Sequence, residues 1–593
     1  MDEQKLRRLH FPDSHSVGAL MQWGEGEGDG TPAYLAEARG TIIVPWSWRM
    51  HLRVYSRDHV EFDLSFLANM QPDDLYGLDL STCPISDAAL APIQSLHRLR
   101  MLELSRTLVD DHAMRRLRTL TGLTFLCLSG TAITDEGLTH LGDLRSLTYL
   151  DISSCPTVGD RGIAHLIHLT ALRTLILWST KVSDAGMSDV RELVNLAHLN
   201  LSYTRVGDEG LAHLRNLVAL ERLALRDNAI GDAGAIHLHY LTGLQHLDLS
   251  HTDISDAGLA VIDGLPSLQT LALAGTNVSD TGVAHVRACS ALEHLDLYGT
   301  HVTDTSIEML RHLGRLKHLD LSFTQVGDHG VARLQDVRTL EHLALAHVSV
   351  GNEGIVSLST LVNLMHLDLQ ATRIGGDGLV CVRSMADLRH LDLSQTDVCD
   401  DSLVHLRGLT ALQHLDLSFV HVRGTGMTYV EDLTSLESLS VHDTPIGDAS
   451  LHSLRHLATL RHLDLARTAI DGSGLVHLQA IEELDTLLLT DTGVTDAPLA
   501  YLMVLTGLRR LSLAGCPISD AGLIHVQGLA ALDNLHLART RVTDRGLELL
   551  YGLKKLRQLF LLNTAVSLEG VERLRRALPA CEISHGPRWL QPM

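Results

Sequence analysis

The stretch LQHLDLSHTDISDAGLAVIDGLPS, Leu244–Ser267, decides how the chain folds. It reads L-x-x-L-x-L-x-x-T-x-I-x-D-x-G-L, and the same pattern restarts at Leu268. Leu-x-Leu pairs open at Leu78, Leu102, Leu126 and Leu150, resume at Leu175, and recur every 24 residues to Leu559. That makes 21 repeats in one register, with a single one-residue insertion between Leu150 and Leu175. Self-similarity at a fixed period of this length is the signature of a stacked repeat architecture, and it outranks any shorter motif.

Each repeat predicts the same local plan. Leu247 and Leu249 alternate with His246, Asp248 and Ser250, a short half-buried strand of period two. Thr252 follows at the turn away from the sheet, with Thr in 15 of the 21 copies and Cys83, Cys155, Asn228, Val348, Val420 or Cys516 in the rest. A hydroxyl there is expected to form a buried hydrogen-bond ladder with the neighbouring turn. Two residues on, every copy has Val or Ile, which must be core. Asp256, shared by 16 copies, is placed to cap a short helix, and the small Gly258 lets the helix start lie close to the sheet edge.

A chain of 593 residues would ordinarily divide into several globular domains, but a solenoid lengthens by adding units to one stack. Its 48 Lys and Arg against 71 Asp and Glu, a net charge of -23, argue against nucleic acid and anionic membranes as partners. Several of the eight Cys fall at repeat positions held elsewhere by Thr or Leu, namely Cys83, Cys155, Cys516 and Cys289, the use of buried thiols in a reducing compartment and not a disulfide framework. With no apolar leader and no membrane-length apolar run, the expected location is cytoplasmic.

Four segments follow. Residues 1–37, with the acidic Gly24–Gly30, read as a flexible tether. Residues 38–75 read as an N-terminal cap with two short strands around Pro45 and with Trp46 and Trp48 in its core. Residues 76–567 hold the repeats, and 568–593 form a C-terminal cap with a last helix and a strand near Cys581–Ile583.

The pattern LxxLxLxxTxIxDxGLxxLxxL over residues 75–583, with the ending LRRALPACEI, resembles leucine-rich repeat proteins, specifically the cysteine-containing class and its 24-residue bacterial relatives. The resemblance implies an α/β solenoid: a curved leucine-rich repeat horseshoe with a concave parallel sheet and short convex helices. It also implies protein–protein binding, usually on the concave face, and leaves the partner open.

The candidate binding residues therefore sit at the outward strand positions. The position before the first Leu carries His294, His318, His342, His366, His390 and His414 in six consecutive repeats. The position between the Leu pair carries Asp296, Asp320, Asp368, Asp392 and Asp416. The expectation is pairing of His with Asp across adjacent strands; a functional band would respond to pH between about 5 and 7 or, less well given a flat row of ligands, hold a divalent metal. Large residues interrupt the same face: Phe125, Tyr149, Trp178 and Tyr203 in successive repeats, then Tyr298, Phe323 and Phe419 near the His band. Aromatics flanked by polar groups are what binding surfaces use as anchors. Arg461, Arg467 and Arg539 give the last repeats a basic cast, balanced by Asp485, Asp491 and Asp533.

Enzyme signatures are weak: there is no GxGxxG after a strand, no Walker A loop and no HExxH. Cys399-Asp400-Asp401 matches the C-x-D of bacterial leucine-rich repeat ubiquitin ligases, but lies inside a repeat and not in a separate domain. The sequence thus predicts a non-enzymatic, monomeric scaffold without cofactor that binds a protein partner. A substrate receptor in a ubiquitin-ligase-type assembly or an exported effector is the alternative, and a metal- or pH-sensitive band is the weaker one.

Overall fold

The computed structural model describes residues 6–14, 16–23, 32–55 and 63–586. Contacts divide the chain into two compact units, Met1–Leu295 and Asp296–Met593. Both are built from the same repeat, a three-residue parallel strand on one side and a short helical turn on the other. In His246–Asp248 the central Leu247 is buried and its neighbours are half-buried, and the strand pairs in register with Arg222–Ala224 and Thr270–Ala272. Leu249, Ile254, Leu259, Ile262, Leu265 and Leu268 are fully buried behind it. Burying one such side chain contributes about 1.5–3 kcal/mol, so the stack is held mainly by this apolar column.

The residue four after the first Leu of each strand is left-handed in all 21 repeats, with φ between 53° and 72°. Only Gly130, Gly275, Gly299 and Gly515 relieve the strain; the other 17 are non-glycine, among them Tyr203, Phe323, Ala371 and Phe419. A Cβ in that region costs about 1–2 kcal/mol. The position between the Leu pair helps hold the turn: Asp248 Oδ1 accepts the Ser250 N–H at 2.9 Å, and Asp79, Asp151, Asn200 and Asp464 do the same. Ala371→Gly should consequently raise stability by about 0.5–1 kcal/mol, the strain relieved less the extra freedom of Gly in the unfolded chain. Urea unfolding reads this directly, and an unchanged or lowered midpoint would contradict the strain.

The turn Thr bonds its own repeat, and Thr131, Thr204 and Thr492 also meet the next one, where Cys155, Asn228 and Cys516 stand. Thr276 Oγ1 donates to Leu273 O at 2.7 Å, and the other turn threonines repeat this geometry. Reach across to the preceding repeat belongs to the exceptions. Cys155 Sγ donates to Leu128 O at 3.3 Å, Cys516 Sγ to Leu489 O at 3.0 Å, and Asn228 Nδ2 to Leu201 O at 2.8 Å. All eight cysteines are unpaired. Burial pushes the thiols of Cys83 and Cys289 up to about 11 and that of Cys381 up to about 12, which keeps them protonated.

The Asp expected to cap its own helix instead staples the next repeat. Asp256 stands first in the helix Asp256–Leu259; its Oδ1 accepts the Ser279 N–H at 2.7 Å and its Oδ2 the Ser279 hydroxyl at 2.6 Å. Asp232, Asp496 and Asp520 bind Ser255, Ser519 and Thr543 in the same way. The small residue two positions on makes room for this carboxylate, since a Cβ at Gly258 would stand 2.3 Å from Asp232 Oδ1. From Asp400 to Val504 the helical turns are 3₁₀ throughout, including those in which Gly424 and Gly472 take the Asp position. The inserted residue near Cys155 is absorbed by a turn at Pro156–Thr157, and the strand register continues through Leu150↔Leu175.

In the first unit, residues read as a tether contain strands Leu6–His10, Gly18–Trp23 and Ala33–Glu37. The reading failed because Arg7, Leu9 and Leu20 are buried against residues distant in sequence; Arg7 donates to Trp48 O at 2.5 Å and to Asp73 O. Gly24–Gly30, Val60 and Phe62 lie outside the described residues. Strands Thr41–Pro45 and Arg49–Val54 follow, and Arg49–Val54 pairs in parallel with Gly77–Asp79, taking the place of a preceding repeat. Trp46 is exposed with the Arg7 guanidinium 5.2 Å above its ring, and Trp48 is half-buried, so the core here is Leu9, Leu20, Val44, Met50 and Leu52. In the second unit, the helix Leu568–Ala577 and the strand Glu582–Ser584 follow the last repeat, the strand pairing with Gln558–Phe560.

Candidate binding site on the open sheet face

Residues on either side of each strand's central Leu point away from the apolar core. In the second unit this places His318, His342, His366, His390 and His414 in one column, directly paired along the ladder. Their rings lie against one another: 4.1 Å between centroids for His318 and His342, 5.6 Å for His342 and His366, 5.2 Å for His366 and His390, and 4.3 Å for His390 and His414. The expected His–Asp pairing across strands gives way to imidazole on imidazole. The reason is local: Asp320, Asp368, Asp392 and Asp416 each commit Oδ1 to the N–H two residues on, at 2.7–2.9 Å.

Burial and the stacked neighbours set the charge state. Burial, then the neighbouring imidazoles His414, His366 and His342, and Arg389, push His390 down to about 4. Burial and His342 lower His366 as well. His390 is therefore neutral across pH 5–7, below which the expected response falls. Burial raises the carboxyls of Asp368 and Asp392 against the N–H bonds they accept. Among the described residues no three His, Cys, Asp or Glu converge as a metal site. His294 belongs to the first unit and Asp296, which accepts the Tyr298 N–H at 2.9 Å, to the second.

The aromatic residues form separate pairs, not one row. Phe125 and Tyr149 precede the central Leu and stack at 4.3 Å with planes 12° apart, half-buried. Trp178 and Tyr203 lie beyond the strand ends, edge to face at 5.8 Å, and are 39% and 45% exposed. Tyr298 meets Phe323 at 5.0 Å, Phe323 continues onto His347 at 4.3 Å, and Phe419 meets His442 at 5.1 Å. Tyr203 in the first unit, and Phe323, His347 and Phe419 in the second, all occupy the left-handed position of their repeats. His347 and His442 were missed by the sequence reading; only the 24-residue offset from Phe323 and the neighbourhood of Phe419 pointed to them.

Elsewhere the structure ties candidates into the fold. Arg467 pairs with Asp443 at 2.9 Å, Arg461 with Glu483 at 3.4 Å and Arg539 with Asp491 at 3.0 Å; of these acids, only Asp491 was expected. Asp400 accepts the N–H groups of Arg423, Gly424 and Gly426, which makes the C-x-D segment part of the inter-repeat staple. No helix among the described residues is long and apolar enough to cross a membrane.

A leucine rich repeat family model matches residues 218–278, and a second matches 143–166, 193–214, 316–334, 456–478 and 505–525. Among solved structures, an internalin from Listeria monocytogenes is 26% identical over 51% of this chain and 83% of its own, with a TM-score of 0.44. The ectodomain of the Arabidopsis receptor kinase HAESA with a peptide hormone is 18% identical over 85% and 84%, TM-score 0.45. A TLR13–ssRNA13 complex is 17% identical over 96% and 86%, TM-score 0.49. No curated protein matches the chain. The 24-residue register, the parallel ladder with its apolar column, and the matched segments together give this chain a leucine-rich repeat fold.

Proposed function

We propose that the chain is a non-enzymatic scaffold that holds a protein partner against the open face of its sheet. The observation that carries this reading is the exposed, mutually packed aromatics of each unit: Trp178 with Tyr203 in the first, and Tyr298 with Phe323 and His347 in the second, which also holds the column of imidazoles. Stacking fixes these rings before any partner arrives, so little side-chain freedom is lost on binding. Aromatic anchors of this kind contribute about 2 kcal/mol or more each when a partner desolvates them. Cys83, Cys155 and Cys516 at one buried turn position support placing the chain in the cysteine-containing, 24-residue class.

Alanine at Trp178 and Tyr203 in one variant, and at Tyr298 and Phe323 in another, should weaken capture of the physiological partner by about thirtyfold, the effect of about 2 kcal/mol. The check is affinity purification of the intact chain with quantitative mass spectrometry. An unchanged set of captured proteins in both variants would sink the reading.

A further inference from the structure

The open face of the first unit holds a depression of about 480 Å³ that Trp178 and Tyr203 do not line. Its composition departs from that of the strands that flank it. The position between the Leu pair is Ile176, Asn200 and Ala224 in three successive strands of the depression, with Asp248 at its far end and Asp151 on the strand before it, outside the lining. The preceding position in the last two of those strands and the next is His198, Arg222 and His246. The acidic row is thus interrupted where the one fixed cation of the depression stands.

The groups around Arg222 are arranged as donors. Its guanidinium has no ion-pair partner among the described residues, and adjacent Glu221 lies instead 3.9 Å from His198. Asn200 commits its oxygen to the Ser202 N–H at 2.9 Å, which leaves its amide nitrogen to the depression. His246 Nδ1 is held 2.9 Å from Thr270 Oγ1. Burial, then Arg222, lowers both His198 and His246. Tyr149 walls one end, and Ile176 and Ala224 give an apolar floor.

We propose that this depression receives an acidic side chain from an extended segment of the protein partner. Its carboxylate sits between the Arg222 guanidinium and the Asn200 amide, and an adjacent apolar residue covers Ile176 and Ala224. A guanidinium meets a carboxylate through two parallel hydrogen bonds, and Ile176, Asn200 and Ala224 leave the ground between Asp151 and Asp248 free of the repulsion an aspartate there would impose. A nucleic-acid backbone fits poorly, because one arginine on a chain of net charge -23 does not neutralise a run of phosphates. The inference rests on the reading that the open face binds protein.

The test is selection of a random dodecapeptide phage library on the intact chain, with counter-selection on Arg222→Gln. Arg222 is exposed, so the variant should keep the parent circular dichroism and melting temperature. Recovered peptides are expected to carry Asp or Glu beside an aliphatic or aromatic residue. Changing that acid to its amide, or Arg222 to Gln, should each weaken binding about tenfold, with no further loss when combined. Peptides without a carboxylate, or an affinity within about twofold for Arg222→Gln, overturn the proposal; the scaffold reading survives if those peptides respond instead to substitution of Tyr298 and Phe323. Recovery of no binding peptide overturns both.

Discussion

Gly258→Ala is expected to destabilise the chain by about 3 kcal/mol, although the same change in an unconstrained helix stabilises by about 0.5–1 kcal/mol. The sign reverses because the new methyl would stand 2.3 Å from Asp232 Oδ1 and 3.1 Å from Asp232 Cα. The carboxylate must move, and with it go the bonds from the Ser255 N–H at 2.8 Å and the Ser255 hydroxyl at 2.5 Å. A bond to a charged acceptor contributes about 1.5–3 kcal/mol, and the N–H left behind is part-buried. Asp232→Ala alone should cost about 2–3 kcal/mol for the same reason. In the double variant the clash and the staple vanish together, so the cost should fall short of the sum by about 1–2 kcal/mol. Gly528→Ala, where nothing lies within 4 Å of the added methyl, is the neutral control. Because a repeat stack opens locally, amide exchange at Ser255 is the sharper readout alongside urea unfolding. Additive costs would mean that Gly258 is not there for the carboxylate.

That coupling shows where the sequence was legible and where it was not. The repeat length, the strand centres and the buried Val or Ile column follow from period alone, since burial acts on one residue at a time. The staple joins Asp232 to Ser255, 23 residues apart, and its partner position alternates between Ser, Thr and Gly. Asp at that site looks the same whether it caps its own helix or the next repeat. The left-handed position was hidden by its tolerance: Gly occupies it in four repeats, and Tyr203, Ala371 and Arg539 fill it elsewhere because the surrounding hydrogen bonds impose the turn. How the outward columns pair was not legible, because ring stacking along a column and Asp bonding to its own turn both depend on backbone spacing that residue identity does not encode. The N-terminal strands were obscured by polar residues such as Arg7, whose burial depends on carbonyls of Trp48 and Asp73.

Acidification is expected to weaken the second unit before any carboxylate staple is lost, with His390 the largest single contributor. Its imidazole is held down to about 4 by burial and by the facing His342, His366, His414 and Arg389. Asp392, directly ahead of it on the same strand, and Asp416 face the adjoining column. The unfolded chain, with an ordinary imidazole near 6.5, binds more protons than the folded one between those limits. Stability therefore falls as pH drops from about 6.5 toward 4, by about 1–2 kcal/mol for His390 after allowance for its partial exposure. His366, lowered for the same reasons, acts in the same direction. Asp368 and Asp392 act in the opposite direction, because their raised carboxyls take up protons more readily in the folded state. The staples respond last. Around Asp400, burial raises the carboxyl, but the N–H groups of Gly426, Arg423 and Gly424 outweigh it and hold it below its ordinary value. Its contribution is complete above about pH 4 and lost as pH falls through the folded value. Urea midpoints at pH 7.5, 5.5 and 4.5 for the parent and His390→Gln separate the two stages. The variant should lose about half of the parent's decline between pH 7.5 and 4.5 and follow it below pH 4. Parallel curves throughout would show that the stacked column bears no protonation penalty. If the variant flattens that decline while still capturing the partner, the imidazoles tune the acid stability of the face and the exposed aromatics do the holding.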